Sequence, residues 1–395
     1  MTDADENPGN ARQREIYVNG AAGVEPAVPV TFEELEAAAV AAMDDAAVGY
    51  VQGGAGSEGT VSRNREAFDR WRIVPRFLRD VAERDLSVEL FGRRYEVPVH
   101  LSPVGIQGIC HEAGELASAR GADAAGVPFV LSSVSSYPME DVAAELGETP
   151  GWFQLYWSSE DALVESLVDR AERAGYEAIV LTVDTPVPGW RERDLSRGYL
   201  PQLADGDGLA NYTSDPAFAD LVDGEPDAEE FDTVRTFFDV FGDSSLTWTD
   251  LEWLAGYTDL PVLVKGLLHP GDATEALARG ADGVVVSNHG GRQVDGSIAA
   301  VEALPRVREA VGPDVPVLLD SGVRRGAEML KALALGADAV GVGRPYVYGL
   351  AVDGANGVEE VCRNLVADLD LTLGLTGRTS VTDLDRSLLV DEREL

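Results

Sequence analysis

Apolar residues fall into short runs separated by stretches of helical spacing. From Val97 onward the runs are Val97–Leu101, Val127–Leu131, Trp152–Leu155, Ala178–Val183, Pro261–Val264, Gly283–Val286, Val315–Leu319 and Ala339–Val342. Each is followed by a loop and an amphipathic segment, which predicts eight strands alternating with helices. Three triplets, Gly121-Ala122-Asp123, Gly280-Ala281-Asp282 and Gly336-Ala337-Asp338, read as helix stops, with glycine supplying the left-handed conformation. Eight such units point to an α/β chain forming a closed (β/α)8 TIM barrel. An open doubly wound sheet would carry a glycine-rich phosphate loop after its first strand, and none is there.

The pattern also divides the chain. Residues 1–30 are polar and rich in Gly and Pro and read as an arm outside the core. Residues 31–90 form an N-terminal helical segment that opens on the capping sequence Thr31-Phe32-Glu33-Glu34, with Leu35, Ala39 and Met43 on one face. The barrel occupies 91–375, and 376–395 is a tail. After strand four, residues 190–250 are rich in Asp, Gly and aromatics. An interval that long predicts a lid-like insertion, with a disordered acidic loop as the alternative.

Charge changes the picture more than composition does. Hydrophobic residues at 45% and charged residues at 25% are ordinary for a globular protein, but 69 acidic residues against 31 basic ones leave a net charge of -38. Such a surface excludes nucleic acid and anionic membranes as partners. Lys265 and Lys331 are the only lysines, and the acids are dispersed rather than gathered in a tail. The reading favoured is a halophilic surface screened by molar salt; a calcium-rich or merely acidic protein is the alternative. Cys110 and Cys362 have no disulfide or metal-ligand spacing, so no metal is expected. The sequence from Met1 has neither a basic nor an apolar leader, and no apolar run approaches bilayer length, so a cytoplasmic location is expected.

In a barrel the chemistry belongs at the C-terminal ends of the strands. There the sequence offers Ser102-Pro103-Val104-Gly105, Ser132-Ser133, Gln154 and Tyr156, Thr182 and Asp184, Lys265, Ser287-Asn288-His289, Asp320-Ser321-Gly322 and Gly343-Arg344. Lys265 follows an apolar run in a chain that otherwise avoids lysine. It fits a Schiff-base nucleophile, a fixed cation beside an electron-rich cofactor, or a structural cap. His289 precedes Gly290-Gly291-Arg292, a context for a general base beside a carboxylate anchor more than for a core histidine. Asp320 to Gly326, with Gly341-Val342-Gly343-Arg344, offers amides and guanidinium groups to one phosphate.

These motifs, in this order, resemble the FMN-dependent 2-hydroxy-acid oxidases and dehydrogenases. The likeness runs from about Glu15 to Gly374. Segments Gly189 to Leu195 and Asn211 to Pro216, and Asp320-Ser321-Gly322 in place of a common Asp-Gly-Gly, are most similar to the lactate 2-monooxygenase branch. The resemblance implies FMN as cofactor and a small L-2-hydroxy acid such as L-lactate as substrate. Oxygen or another acceptor would reoxidise the flavin, with decarboxylation to acetate and carbon dioxide or release of the 2-keto acid, in a tetramer or larger homo-oligomer. It implies that His289 takes the substrate proton with Asp184 steadying the imidazolium. Tyr50, Arg191 and Arg292 would hold the substrate carboxylate, Tyr156 its hydroxyl or keto oxygen, and Lys265 the charge on the reduced flavin. Val104, Gly105, Ser132, Gln154, Thr182 and Ser287 would contact the flavin ring or ribityl chain; Asp320, Gly322, Arg324, Gly343 and Arg344 would hold ribityl and phosphate. Gly105 is further expected to leave open space beside the ring, keeping product and reduced flavin together. Val134 stands where plant-type glycolate oxidases carry tryptophan, which speaks against glycolate.

Overall fold

The computed structural model describes residues 7–204, 206–222 and 224–395. Eight parallel strands close into a barrel in sequence order. They are β1 (Val99–Leu101), β2 (Phe129–Ser132), β3 (Gly151–Leu155), β4 (Ile179–Thr182), β5 (Val262–Leu267), β6 (Gly283–Val286), β7 (Val317–Leu319) and β8 (Ala339–Val342). Strands β1, β2, β5 and β7 start just after Pro98, Pro128, Pro261 and Pro316. Proline lacks the N–H a ladder needs, so the strands open one or two residues later than the apolar runs suggest. The proline carbonyls still accept from the neighbouring strand, as Pro98 does from the Val340 amide.

Helices run α1 (Pro8–Ala21), α2 (Phe32–Ala42), α3 (Asp45–Gln52) and α4 (Gly59–Asp69) before the barrel. Within it lie α5 (Gly114–Ala125), α6 (Met139–Ala144) and α7 (Asp161–Ala174), then an insertion of α8 (Glu192–Arg197), α9 (Pro201–Ala204), α10 (Ala210–Thr213), α11 (Pro216–Ala219) and α12 (Phe231–Val240). The circuit closes with α13 (Trp248–Tyr257), α14 (Pro270–Ala278), α15 (Ala300–Val311), α16 (Gly326–Ala334) and α17 (Arg344–Leu375). The Thr31 hydroxyl caps α2 by accepting from the Glu34 amide, as the capping sequence predicts.

Two expectations are corrected. Gly121 does not stop a helix: α5 runs on to Ala125 and ends at Gly126, φ +64. Gly121 sits instead where any Cβ would strike the Ala355 carbonyl oxygen at 2.5 Å, so its smallness serves helix packing. The arm is not loose, at least from residue 7 onward; residues 1–6 lie outside the described residues. Gly9 N donates to Asp370 Oδ2 (3.0 Å), and Arg12 pairs with the buried Glu360, seating α1 on α17. The tail is likewise seated, residues 389–391 pairing antiparallel with 71–73 while Arg70 holds the buried Asp391 at 2.5 Å.

The insertion is folded rather than disordered. Tyr212, Phe218 and Phe237 are fully buried and stack edge to face, Tyr212 to Phe237 at 4.8 Å. Arg170 on α7 binds Asp215 Oδ2 (2.9 Å), the Asn211 carbonyl (2.7 Å) and Glu140 (2.8 Å). Asn211 donates to the Ser133 carbonyl (3.1 Å) and accepts from the Met139 amide (2.7 Å). These bonds staple the insertion to the loop that follows β2.

Candidate active site

Side chains at the strand ends surround a cavity of about 400 Å³ that opens at the C-terminal face of the barrel. Its chemistry is built at β6. His289 holds φ +57, followed by Gly290 at +64 and Gly291 at +79, so a tight left-handed turn lifts the imidazole over the barrel mouth. Its Nδ1 lies 2.8 Å from Asp184 Oδ1, and its Nε2 is 3.4 Å from the Tyr156 hydroxyl. Burial pushes the His289 pKa below its ordinary 6.5, with Lys265 and Arg191 acting in the same direction against Asp184. The imidazole is therefore neutral near pH 7 and able to take a proton at Nε2. Burial alone would raise the Asp184 carboxyl, but His289 and Lys265 outweigh it and hold it below the usual carboxylate range. Gly266 makes room for this pair: φ is +107, and a Cβ there would meet the Asp184 side chain at 2.6 Å.

Arg292, one turn beyond His289, lies over the Tyr50 ring at 4.8 Å and donates to the carbonyls of Tyr50 (2.5 Å) and Gly53 (2.9 Å). Burial and the nearby Arg191 push its pKa down to about 10. Arg191 is fixed by Gln293, whose Oε1 accepts from Nη2 at 3.2 Å. Neither arginine meets a carboxylate among the described residues, so two guanidinium groups beside a base await an anion. Lys265 Nζ sits 3.7 Å from Asp320 Oδ2, buried at the end of β5.

The other expected residues take different places. Val104, Gly105, Asp320, Gly322, Arg324, Gly343 and Arg344 line the cavity. Ser132, Gln154, Thr182 and Ser287 are buried behind its wall. Gln154 Nε2 and Thr182 Oγ1 have no partner there, as befits groups that bond a heteroaromatic ring. Ser287 Oγ is already engaged by the His289 amide (3.0 Å). Arg344 donates to the carbonyls of Val51 (3.0 Å) and Gly53 (3.1 Å), bracing the segment that bears Tyr50. Gly105 corrects an expectation: a Cβ there would meet the Val134 carbonyl oxygen at 2.5 Å and Ser132 Oγ at 3.1 Å. Its missing side chain makes room for the β2 loop, and Gly105→Ala would displace backbone rather than fill the space beside a flavin.

Sequence reasoning missed Ser321 and Gln293 as working parts. Ser321 adopts φ +76, unusual without glycine, and its hydroxyl accepts from the Asn288 (3.3 Å) and Gly290 (3.0 Å) amides while donating to Asp320 (2.8 Å). It thereby ties the His289 turn to the end of β7. Serine where glycine is common was the available signal. Gln293 Nε2 donates to the carbonyls of Asp184 (2.7 Å) and Val187 (3.0 Å), joining the loops after β4 and β6 through the last residue of the motif that begins at Ser287, for which the sequence suggested no role.

A barrel whose mouth sets a neutral histidine and its ionised aspartate beside arginines without a carboxylate partner, with unmet donors below, fits a cofactor-assisted oxidation of an anionic carbinol. The chain belongs to the FMN-dependent dehydrogenase family, whose model matches residues 39–391. It is 45% identical to an L-lactate oxidase of Lysinibacillus sphaericus, over 92% of this chain and 93% of the relative. It is 40% identical to an FMN-dependent alpha-hydroxy acid dehydrogenase of Schizosaccharomyces pombe, over 96% of each. Crystal structures of mandelate oxidase with benzoyl-formic acid (TM-score 0.81, 38% identity, 92% and 98% coverage) and of a variant of an active chimera of (S)-mandelate dehydrogenase (TM-score 0.83, 38%, 91% and 99%) share the fold. The protein is an FMN-dependent 2-hydroxy-acid oxidoreductase, which sets aside the Schiff-base reading of Lys265. No described helix is long and apolar enough to cross a membrane.

Proposed function

We propose that the substrate is L-lactate and that the keto product is held until oxygen reacts, so that acetate, carbon dioxide and water leave the enzyme. The observation that carries this reading is the stapled insertion, which brings Leu200, Gln202, Phe237, Phe238 and Phe241 to the cavity wall. Phe241 packs edge-on against Tyr156 at 5.3 Å, roofing the side where a substrate substituent would lie. A roofed site slows escape of a small keto acid more than entry of oxygen. The name of the 45% identical relative supports lactate as the substrate.

In this reading the two arginines and Tyr50 hold the carboxylate, Tyr156 bonds the carbinol oxygen, and His289 takes the substrate proton at Nε2 while Asp184 stabilises the imidazolium. The chemistry FMN supplies is acceptance of two electrons from the carbinol and their delivery to oxygen. Lys265 would provide a fixed cation beside FMN. Arg324 and Arg344, with the amides near Gly322 and Gly343, hold its phosphate.

Product analysis during aerobic turnover tests the proposal. Lactate and oxygen should be consumed one to one, with equal acetate and carbon dioxide and no hydrogen peroxide. Equal pyruvate and hydrogen peroxide would overturn the decarboxylating outcome and leave plain oxidation to the 2-keto acid.

A further inference from the structure

The first turn of α2 lies outside the barrel and ahead of residue 39, where the family match begins, yet it reaches the phosphate end of the cavity. The guanidinium carbon of Arg324 sits 3.9 Å from the centroid of the buried Phe32 ring. Tyr348 backs that ring at 5.7 Å and donates its hydroxyl to Glu36, one turn further along α2 (2.9 Å). The adjacent Arg325 donates from Nη2 to both Glu33 oxygens, at 2.6 and 2.7 Å. One helix turn thus grips two consecutive residues of the loop after β7.

Arg324 is otherwise uncompensated. Its guanidinium pairs with no carboxylate among the described residues, and burial together with Arg65 and Arg344 pushes its pKa down to about 10. It still carries its charge at neutral pH, with Tyr348 and Glu36 acting against the shift. A guanidinium is planar. An aromatic ring laid on its face attracts the cation and leaves the in-plane N–H edge free to fork onto phosphate oxygens. An aliphatic side chain would fill the same volume without orienting the plane.

We propose that Phe32 is a positioning residue for the cofactor phosphate, its ring fixing the plane of Arg324 so that the N–H edge meets the phosphate. The inference rests on the phosphate site proposed above. The test uses the full-length protein in molar KCl, reconstituted with FMN or with riboflavin, which lacks only the phosphate. Dissociation constants are read from flavin fluorescence. Phe32→Leu should weaken FMN about tenfold, which is about 1.4 kcal/mol and within the range of a desolvated cation–π pair. Riboflavin should be unaffected, and Phe32→Tyr should restore FMN binding. Unchanged FMN affinity in Phe32→Leu, or an equal loss for both flavins, overturns the proposal. Arg324→Leu separates the two layers of the argument. If it abolishes the preference for FMN while Phe32→Leu keeps it, the role of Phe32 falls alone. If it leaves the preference intact, the phosphate site falls and the inference with it.

Discussion

His289 illustrates how far a single residue could be read. One of four histidines, followed by Gly-Gly-Arg, it was legible as a base because glycines mark a backbone that must turn sharply. Its partner Asp184 lies 105 positions away, and only closure of the barrel brings the two within 2.8 Å. Ser321 was legible only as a serine where glycine is common; its role depends on a positive φ that no side-chain type declares. The electrostatics at His289 carry a pH prediction. A base must be neutral in the free enzyme, and the pKa of this one lies below 6.5. The rate constant kcat/KM should therefore rise with pH on the acid side and level off, with its midpoint below pH 6.5. A profile whose acid-limb midpoint lies above 6.5 would show that the charge balance around His289 is misjudged.

Among the elements, strands were easier to read than the segments around them. Apolar runs mark all eight strands, with starts shifted by one or two residues where proline withholds an N–H and by one residue at β3 and β4. The arm, the tail and the insertion were harder because polar contacts seat them. Gly9 on Asp370, Arg70 on Asp391 and Arg170 on Asp215 join positions far apart in sequence and leave no hydrophobic period to detect. Arg170 also makes a prediction. Arg170→Met would strand the buried Asp215 carboxylate, at a cost of about 3–5 kcal/mol. Amide exchange should then lose protection across 210–240 well before the barrel strands do, and KM for lactate should rise as the roof loosens. Unchanged protection in that segment would mean the aromatic cluster alone holds the insertion.

For the whole molecule, the opposition of surface and site matters most. The chain carries a net charge of -38, yet five cationic side chains and one carboxylate line the cavity. The acidic surface repels itself and any anionic substrate, and both effects are screened at molar salt, where the Debye length falls to about 3 Å. We expect the melting temperature to climb steeply from dilute buffer to molar KCl, with flavin released at the low end; a salt-independent melt would contradict a halophilic surface. The site itself is tested most directly by mixing the yellow full-length protein with L-lactate in the absence of oxygen and following the flavin absorbance. The wild type should bleach rapidly, and His289→Gln, with FMN still bound, should bleach roughly 10²–10⁴ times more slowly. A wild type that stays yellow, or a variant that bleaches at the wild-type rate, would contradict the assignment of this cavity to 2-hydroxy-acid oxidation through His289.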